Sequence, residues 1–355
     1  MAKEWEVTSQ HTGGFTHIFF VPIVCGTPVF LLAPALASTY TLSLLCVYAL
    51  LAMSLGLIWG FGGILCFGQG AFFGIGAYSY VIFSINFGLP WTSVLFAIAF
   101  TVLVTTCFGA AMFYGRLGDV YLAVVTLVFT LILNRFLNST AGPEYQIGSA
   151  RLGGFNGIPG FPTLNFPWSD AAFLSDMVFY ILCCVVLVIS WVFCRWILRS
   201  HFGRVLVAIR ENEERVELTG YDVRLYKTAA FSISGGLAAM AGVLYANWAG
   251  IVTPNLFSLT LSAEIIIWTV VGGLGTLFGP MIGSAVLTAL KLGLGHQTVV
   301  DNFFVMGILL IAAVLVFPRG IAGAFTGRRV SFLSSKKKGK WQTRSNRTQE
   351  NLSND

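Results

Sequence analysis

Side chains able to do chemistry are sparse in this sequence. Glu264, in SLTLSAEIIIW, is the one acid inside an apolar run of the second half, and an ionisable group so placed is by default a functional hypothesis. The other reading is an interfacial or hydrogen-bonded carboxylate that helps helices pack. Gln69, Asn86, Asn134 and Asn247 also stand within or beside apolar runs, where such side chains more often bridge helices than hold ligands. His17, His201 and His296 lie at run ends or in loops, with no second histidine at metal spacing. The seven cysteines (Cys25, Cys46, Cys66, Cys107, Cys183, Cys184, Cys194) lie in or beside apolar runs without metal-ligand spacing and read as small buried hydrophobes. The chain has no G-x-x-x-x-G-K-[ST] phosphate loop, no Ser/His/acid or paired-carboxylate signature and no acid or histidine cluster for a proton relay. It is therefore read as a non-enzyme with no metal and no cofactor, and uphill movement of a solute would draw its energy from another protein.

The elements that must position these groups are membrane helices. The 355 residues are 56% hydrophobic and 10% charged, with mean hydropathy +0.80. That charge content is far below the quarter or so typical of soluble domains. A span needs about twenty apolar residues. Apolar runs occur at His17 to Ala37, Thr41 to Trp59, Ala71 to Phe87, Trp91 to Tyr114, Val120 to Leu137 and Phe173 to Ile197, then at Thr228 to Ala249, Leu259 to Val271, Met281 to Leu294 and Phe303 to Phe317. The fold class is thus all-α, a polytopic integral membrane bundle of about ten spans, some short or broken by glycine. The first run ends in ALAS, like a signal cleavage site, but it lacks a basic leader and is long for a signal core, so an uncleaved span is preferred.

One long polar stretch interrupts the apolar chain, RWILRSHFGRVLVAIRENEERVELTGYDVRLYK, from Arg195 to Lys227. Glu211 and Arg215 stand four apart with the acid first, and Val205, Ile209 and Val216 share one side at helical spacing, so a short amphipathic helix is expected. Gly203 and Gly220 bracket it as breakers. Two readings stay open: a solvated loop that only obeys the positive-inside rule, or a helix on which a partner protein docks. The net charge of +6 sits in such loops and in the tail, which points to lipid headgroups and topology rather than nucleic acid.

Charge also sets the orientation. The Arg195 to Lys227 stretch and the basic tail should share the cytoplasm, and four runs lie between them. Both termini then fall in the cytoplasm, Arg116 lies in a cytoplasmic turn, Asn138 to Ala172 lies outside, and Arg135 and Lys291 snorkel near outer helix ends. The expected division is residues 1–16 as a cytoplasmic segment, 17–325 as the membrane domain with a cytoplasmic loop at 198–227, and 326–355 as a basic, disordered tail.

Three stretches are dense in glycine: GFGGILCFGQGAFFGIGAY, GGFNGIPGF and VVGGLGTLFGPMIGSA. Such density serves either close helix packing or unwound backbone beside a translocation path. On the second reading, Gly62, Gly63, Gln69, Glu264, Gly272 and Gly273 belong to the path, and the first and third stretches act toward the cytoplasmic side as a gate.

The stretch GRVLVAIRENEERVELTGYDVRLYKTAAFSISGGLAAMAGVLY closely resembles the coupling region and following span of permease subunits in the branched-chain amino acid family of ABC importers. The resemblance continues through GDVYLAVVTLVF, IIIWTVVGGLGTLFGPMIGSAV and FPRGIAG, and covers roughly Tyr40 to Gly323. It implies a second homologous permease, two ATPase subunits on the cytoplasmic loops, a periplasmic substrate-binding protein and a bacterial inner-membrane location. It also implies an ATPase-coupling segment from Gly203 to Gly220, with Arg204, Ala208, Ile209, Arg210, Glu211, Asn212 and Glu213 as its core. The same family serves branched-chain amino acids, urea and short amides. Alternatives from other classes are a self-sufficient channel or secondary carrier for a small neutral solute and a membrane-embedded enzyme, the latter opposed by the lack of a convergent acid, histidine or cysteine cluster.

Overall fold

The computed structural model describes residues 38–166, 169–173, 175–294 and Gly307. Within them, six helices are long and apolar enough to cross a bilayer: α1 (Thr39–Gly62), α2 (Gln69–Phe87), α3 (Pro90–Tyr114), α4 (Asp119–Ser139), α5 (Asp176–Arg199) and α8 (Val223–Ala249). Two short helices, α6 (His201–Glu211) and α7 (Glu213–Leu218), join α5 to α8. Two more, α9 (Leu259–Gly272) and α10 (Phe278–Leu294), close the described region. The polytopic all-α bundle stands. The runs at His17 to Ala37 and, apart from Gly307, at Phe303 to Phe317 lie outside the described residues, as do the segments 1–16 and 326–355.

The bundle has a centre and a rim. In α1, α2 and α8 the most apolar windows are 78%, 67% and 72% buried, whereas in α3, α4 and α5 the figures are 22%, 28% and 33%. The rim helices turn Leu95, Phe96, Leu103, Ile132, Ile189 and Trp196 outward, as lipid-facing helices must. The central helices are apolar all round because they are surrounded by protein. Small residues let their axes approach: a methyl group at Gly76 of α2 would lie 2.5 Å from the Ala239 Cα of α8, and Gly242 of α8 sits against the Phe73 carbonyl. Buried polar groups tie the same three helices. Gln69 Nε2 donates to Ser54 Oγ at 2.6 Å and to Ser234 Oγ at 3.1 Å, and Ser234 Oγ donates to the Ser54 carbonyl at 2.7 Å. Asn134 donates to the Pro254 carbonyl at 2.9 Å, and Asn247 accepts from Tyr80 Oη and the Leu164 amide, so these asparagines are structural bridges.

Beyond α8 the chain packs back on the bundle through a short strand and a single 3-10 turn. Ile251–Val252 pairs antiparallel with Ile158–Pro159 from the long α4–α5 connection, and the 3-10 turn Pro254–Phe257 then brings the Phe257 ring against Gly74 of α2. This departure from α-helix is tolerable because protein covers it, with Pro254, Leu256 and Phe257 buried. The α4–α5 connection also forms two small antiparallel pairs, Gln146–Ile147 with Ala150–Arg151 and Asn165–Phe166 with Ser169–Phe173, in a segment whose sequence was read only as lying outside. Pairing satisfies backbone groups that the hydrophobic pattern does not mark.

The first arm of the α9–α10 hairpin is short for a crossing: 14 residues give about 21 Å at ~1.5 Å per residue, against a hydrocarbon core of about 30 Å. Its two arms touch through glycine backbone, with Gly272 against the Gly279 carbonyl and a methyl at Gly283 only 2.8 Å from the Gly272 amide. The turn between them uses Gly273 (φ 109°) and Gly275 (φ 86°), a region that L side chains avoid.

Candidate functional site

The polar stretch between α5 and α8 folds as a helical hairpin. Ser200 ends α5, and its Oγ donates to the Ile197 carbonyl at 2.6 Å. α6 then doubles back so tightly that Gly203 packs on the Leu198 backbone, where a Cβ has no room. Gly203 is thus helical, inside the first turn of α6, and not a breaker as its spacing suggested; Gly220, at φ 89°, does break the chain. Val205, Leu206 and Ile209 face inward, while Arg204, Ala208, Arg210 and Glu211 are exposed.

Asn212 divides what was expected to be one helix. Its backbone is extended (φ −163°, ψ 103°) and its Oδ1 accepts from the Arg215 amide at 2.9 Å, making it the N-cap of α7. Glu213 and Glu214 follow in the first turn, where the helix dipole favours acids. Because the break falls at Asn212, Glu211 and Arg215 do not share a helix, and the expected pair is absent among the described ion pairs. The pairs formed are Glu213 with Lys227 (2.5 Å), Arg210 with Glu211 (3.5 Å) and Glu217 with Arg224 (3.9 Å). Lys227 is the desolvated one, its side chain 11% exposed, and it joins the start of α7 to α8. Val205, Ile209 and Val216 gather with Val223 in a small apolar cluster flanked by Tyr221 and Tyr226. His201 Nε2 meets Tyr221 Oη at 3.1 Å. At the tip, Leu218 is 88% exposed amid charged neighbours.

The hairpin seats on the glycine-rich ends of two other elements. Arg210 Nη1 donates to the Gly60 carbonyl of α1, and its side chain lies over Gly63, where an added Cβ would stand 2.9 Å from Arg210 Cγ. Gly62 is covered by Leu206 at 3.4 Å, and Gly63 closes α1 in the left-handed region at φ 74°. Gly60 in turn lies against the Gly275 amide, and Gly56 against Pro280 of α10. α6, the end of α1 and the α9–α10 turn therefore meet at one junction. Of the six residues assigned to a path from sequence, the four glycines gather at or beside this junction, while Gln69 and Glu264 lie elsewhere with partners of their own.

Glu264 is paired, a fact its sequence neighbourhood does not disclose. Its Oε1 receives Lys291 Nζ at 2.5 Å across the α9–α10 hairpin, with side chains 10% and 37% exposed. Lys291, expected to snorkel toward the outer interface, turns to this carboxylate instead. The same two helices hold buried polar atoms without a hydrogen-bond partner among the described residues: Ser262 Oγ, Trp268 Nε1 and Thr288 Oγ1. At the end of the bundle away from the junction, a cavity of about 120 Å³ opens among Tyr40, Ser43, Asp176, Phe179, Asn247 and Trp248. The sequence placed Lys227 at the end of the polar stretch and Lys291 near a helix end, but it did not reveal that their partners are Glu213 and Glu264.

Comparison with known proteins places this geometry. The family model described as "Branched-chain amino acid transport system / permease component" matches residues 38–314. The high-affinity branched-chain amino acid transport system permease protein LivM of Escherichia coli (strain K12) is 29% identical over 297 residues, which are 78% of this chain and 67% of that protein. The corresponding LivH protein of Salmonella typhimurium is 26% identical over 290 residues, 78% of this chain and 91% of that protein. The galactose/methyl galactoside import permease protein MglC of Salmonella typhimurium is 28% identical over 235 residues, 61% and 66% of the two chains. No solved structure matches. With the matched segment running from the first residue of the bundle past the α9–α10 hairpin, the chain belongs to the family of branched-chain amino acid transport system permease components.

Proposed function

We propose that this chain forms the translocation path of an ATP-driven importer for branched-chain amino acids and that α6–α7 is the surface through which separate ATPase subunits drive it. The observation that carries the reading is the Arg210 junction. α5 passes into α6 through a tight turn, α6 is bonded to the end of α1, and α1 abuts the α9–α10 turn, while Lys227 ties the hairpin to α8. A push on the hairpin is thereby delivered to three parts of the bundle at once. The exposed Leu218, ringed by Glu217 and Glu214, offers an apolar anchor with a charged rim, as docking surfaces do.

In this reading the hairpin faces the cytoplasm, with both termini on that side. The α4–α5 connection and the 120 Å³ cavity face outward, where a periplasmic binding protein delivers substrate. A second homologous permease completes the path, two ATPases complete the complex, and α3, α4 and α5 meet lipid in the inner membrane. The names of the relatives support branched-chain amino acids over galactose by the extent of the match, and the urea and short-amide alternatives gain no support from them. The 3-10 segment Pro254–Phe257, the Glu264–Lys291 pair and the polar atoms on α9 and α10 without a partner among the described residues favour that side of α1 as the path.

The test is Leu218→Asp in the co-expressed complex. The variant should insert and retain its partner permease, yet lose the ATPase subunits on co-purification and lose substrate-stimulated hydrolysis. Full leucine uptake by this variant sinks the coupling role. Charge reversal at Glu213 is a poorer test, because it breaks the Lys227 pair and the hairpin with it.

A further inference from the structure

Cys46 of α1 and Cys184 of α5 face each other across a helix contact that the transport reading does not use. Their Sγ atoms are 3.8 Å apart with nothing between them. Both are free thiols; Cys46 is 5% exposed and Cys184 is half-buried. Cys46 lies seven residues into α1 from Thr39, and Cys184 eight residues into α5 from Asp176, so both sit about 10–12 Å from the cavity end at ~1.5 Å per residue.

We propose that Cys46 and Cys184 are a reversible oxidation site whose disulfide ties α1 to α5. The sulfurs must close from 3.8 Å to about 2.05 Å, a movement within reach of side-chain rotation between packed helices. The oxidant is a hydroperoxide, small or lipid-soluble enough to reach a thiol inside the bilayer. The half-exposed Cys184 sulfur attacks the distal peroxide oxygen, the O–O bond breaks, and the hydroperoxide leaves as an alcohol, giving a sulfenic acid at Cys184. The Cys46 sulfur then displaces that oxygen, which departs as water with the thiol proton, and the S–S bond forms. Two thiols have lost two electrons and the hydroperoxide has gained them. An external dithiol reverses the change.

The tie matters because of where these helices end. α5 enters the coupling hairpin at Ser200, and α1 ends under Arg210. A bond near the far ends of the two helices restrains their relative motion at the junction. That consequence rests on the importer reading; the existence of the bond does not.

The experiment treats the complex in vesicles with cumene hydroperoxide, then counts thiols on the denatured chain with a maleimide-polyethylene glycol tag. Wild type should lose two of its seven taggable thiols, recover both with dithiothreitol, and yield a Cys46–Cys184 linked peptide by mass spectrometry. Leucine uptake should fall at least tenfold and return on reduction. Cys46→Ser should lose at most one thiol, as an uncondensed sulfenic acid, and import at the untreated rate. Seven surviving thiols in the wild type overturn the site. So does a Cys46→Ser chain that still loses two, which would mark Cys183–Cys184 as the bonded pair. Cross-linked wild type that imports at full rate overturns the tie. Reduced vesicles that import nothing count against the importer reading alone, since the thiol count still judges the site.

Discussion

The α6–α7 hairpin and the α9–α10 hairpin are both interruptions of one helix bundle, and they handle charge in opposite ways. The first carries many charges, nearly all exposed, in pairs of 2.5 to 3.9 Å of which only Lys227 is substantially desolvated. The second carries the single pair Glu264–Lys291 among apolar neighbours, with the carboxylate 90% out of solvent reach. Exposed pairs contribute about 0–1 kcal/mol each, so no single charge of the first hairpin decides its fold; its shape comes from the Val205, Ile209, Val216 and Val223 cluster and from Asn212. A buried pair behaves differently, because removing one member leaves the other uncompensated. The first hairpin can therefore vary its charges to suit a partner, whereas the second cannot lose one without losing structure.

That contrast can be broken in order of expected effect. Lys291→Met should be the most damaging, at about 2–3 kcal/mol because it strands the buried Glu264 while Lys291 itself is 37% exposed, read as a lowered unfolding temperature of the purified chain in detergent; Glu264→Gln added to it should restore most of the loss. If Lys291→Met melts like wild type, the pair is as dispensable as a surface one and the contrast fails. Arg210→Ala should leave the fold and ATP hydrolysis in place while uptake falls about tenfold, equivalent to about 1.4 kcal/mol, because the hairpin loses its bond to Gly60. Hydrolysis and uptake falling together would mean that Arg210 acts on docking rather than on transmission. Asn212→Ala should cost about 1 kcal/mol through the lost cap, seen as faster amide exchange in residues 213–218 with the rest of the bundle unchanged. Exchange spreading into α1 would show that α7 supports the junction more widely than its few contacts suggest.

Legibility from sequence followed the range of the interaction. The apolar side of the α6–α7 hairpin was legible because Val205, Ile209 and Val216 repeat at helical spacing, although the break at Asn212 puts Val216 on a second helix and packing alone brings it to the other two. The six long helices were legible within a few residues because each is an apolar run long enough to span. Asn212 carried a readable signal, an asparagine followed by two glutamates before an apolar residue, which is an N-cap followed by acids in the first turn; the competing Glu211–Arg215 spacing hid it. The bridging roles of Asn134 and Asn247 were predictable as a class, although not their partners. The strands of the α4–α5 connection were illegible, since two-residue pairs such as Ile158–Pro159 with Ile251–Val252 have no period and join segments far apart in the chain.

What the sequence alone determined was the solvent of this protein and the identity of its local elements. Composition and run length require a bilayer, helical periodicity builds the apolar face of α6, and glycine density permits close approach. Those properties depend on neighbours within a turn or two. Tertiary structure decided which glycines meet which elements: that Gly60 and Gly63 lie under Arg210, that Gly275 abuts Gly60, that Lys291 finds Glu264 and that Cys46 faces Cys184. Glycine and a lone charge permit many partners and specify none. Only the packing of whole helices, which sums many weak contacts, selects among them.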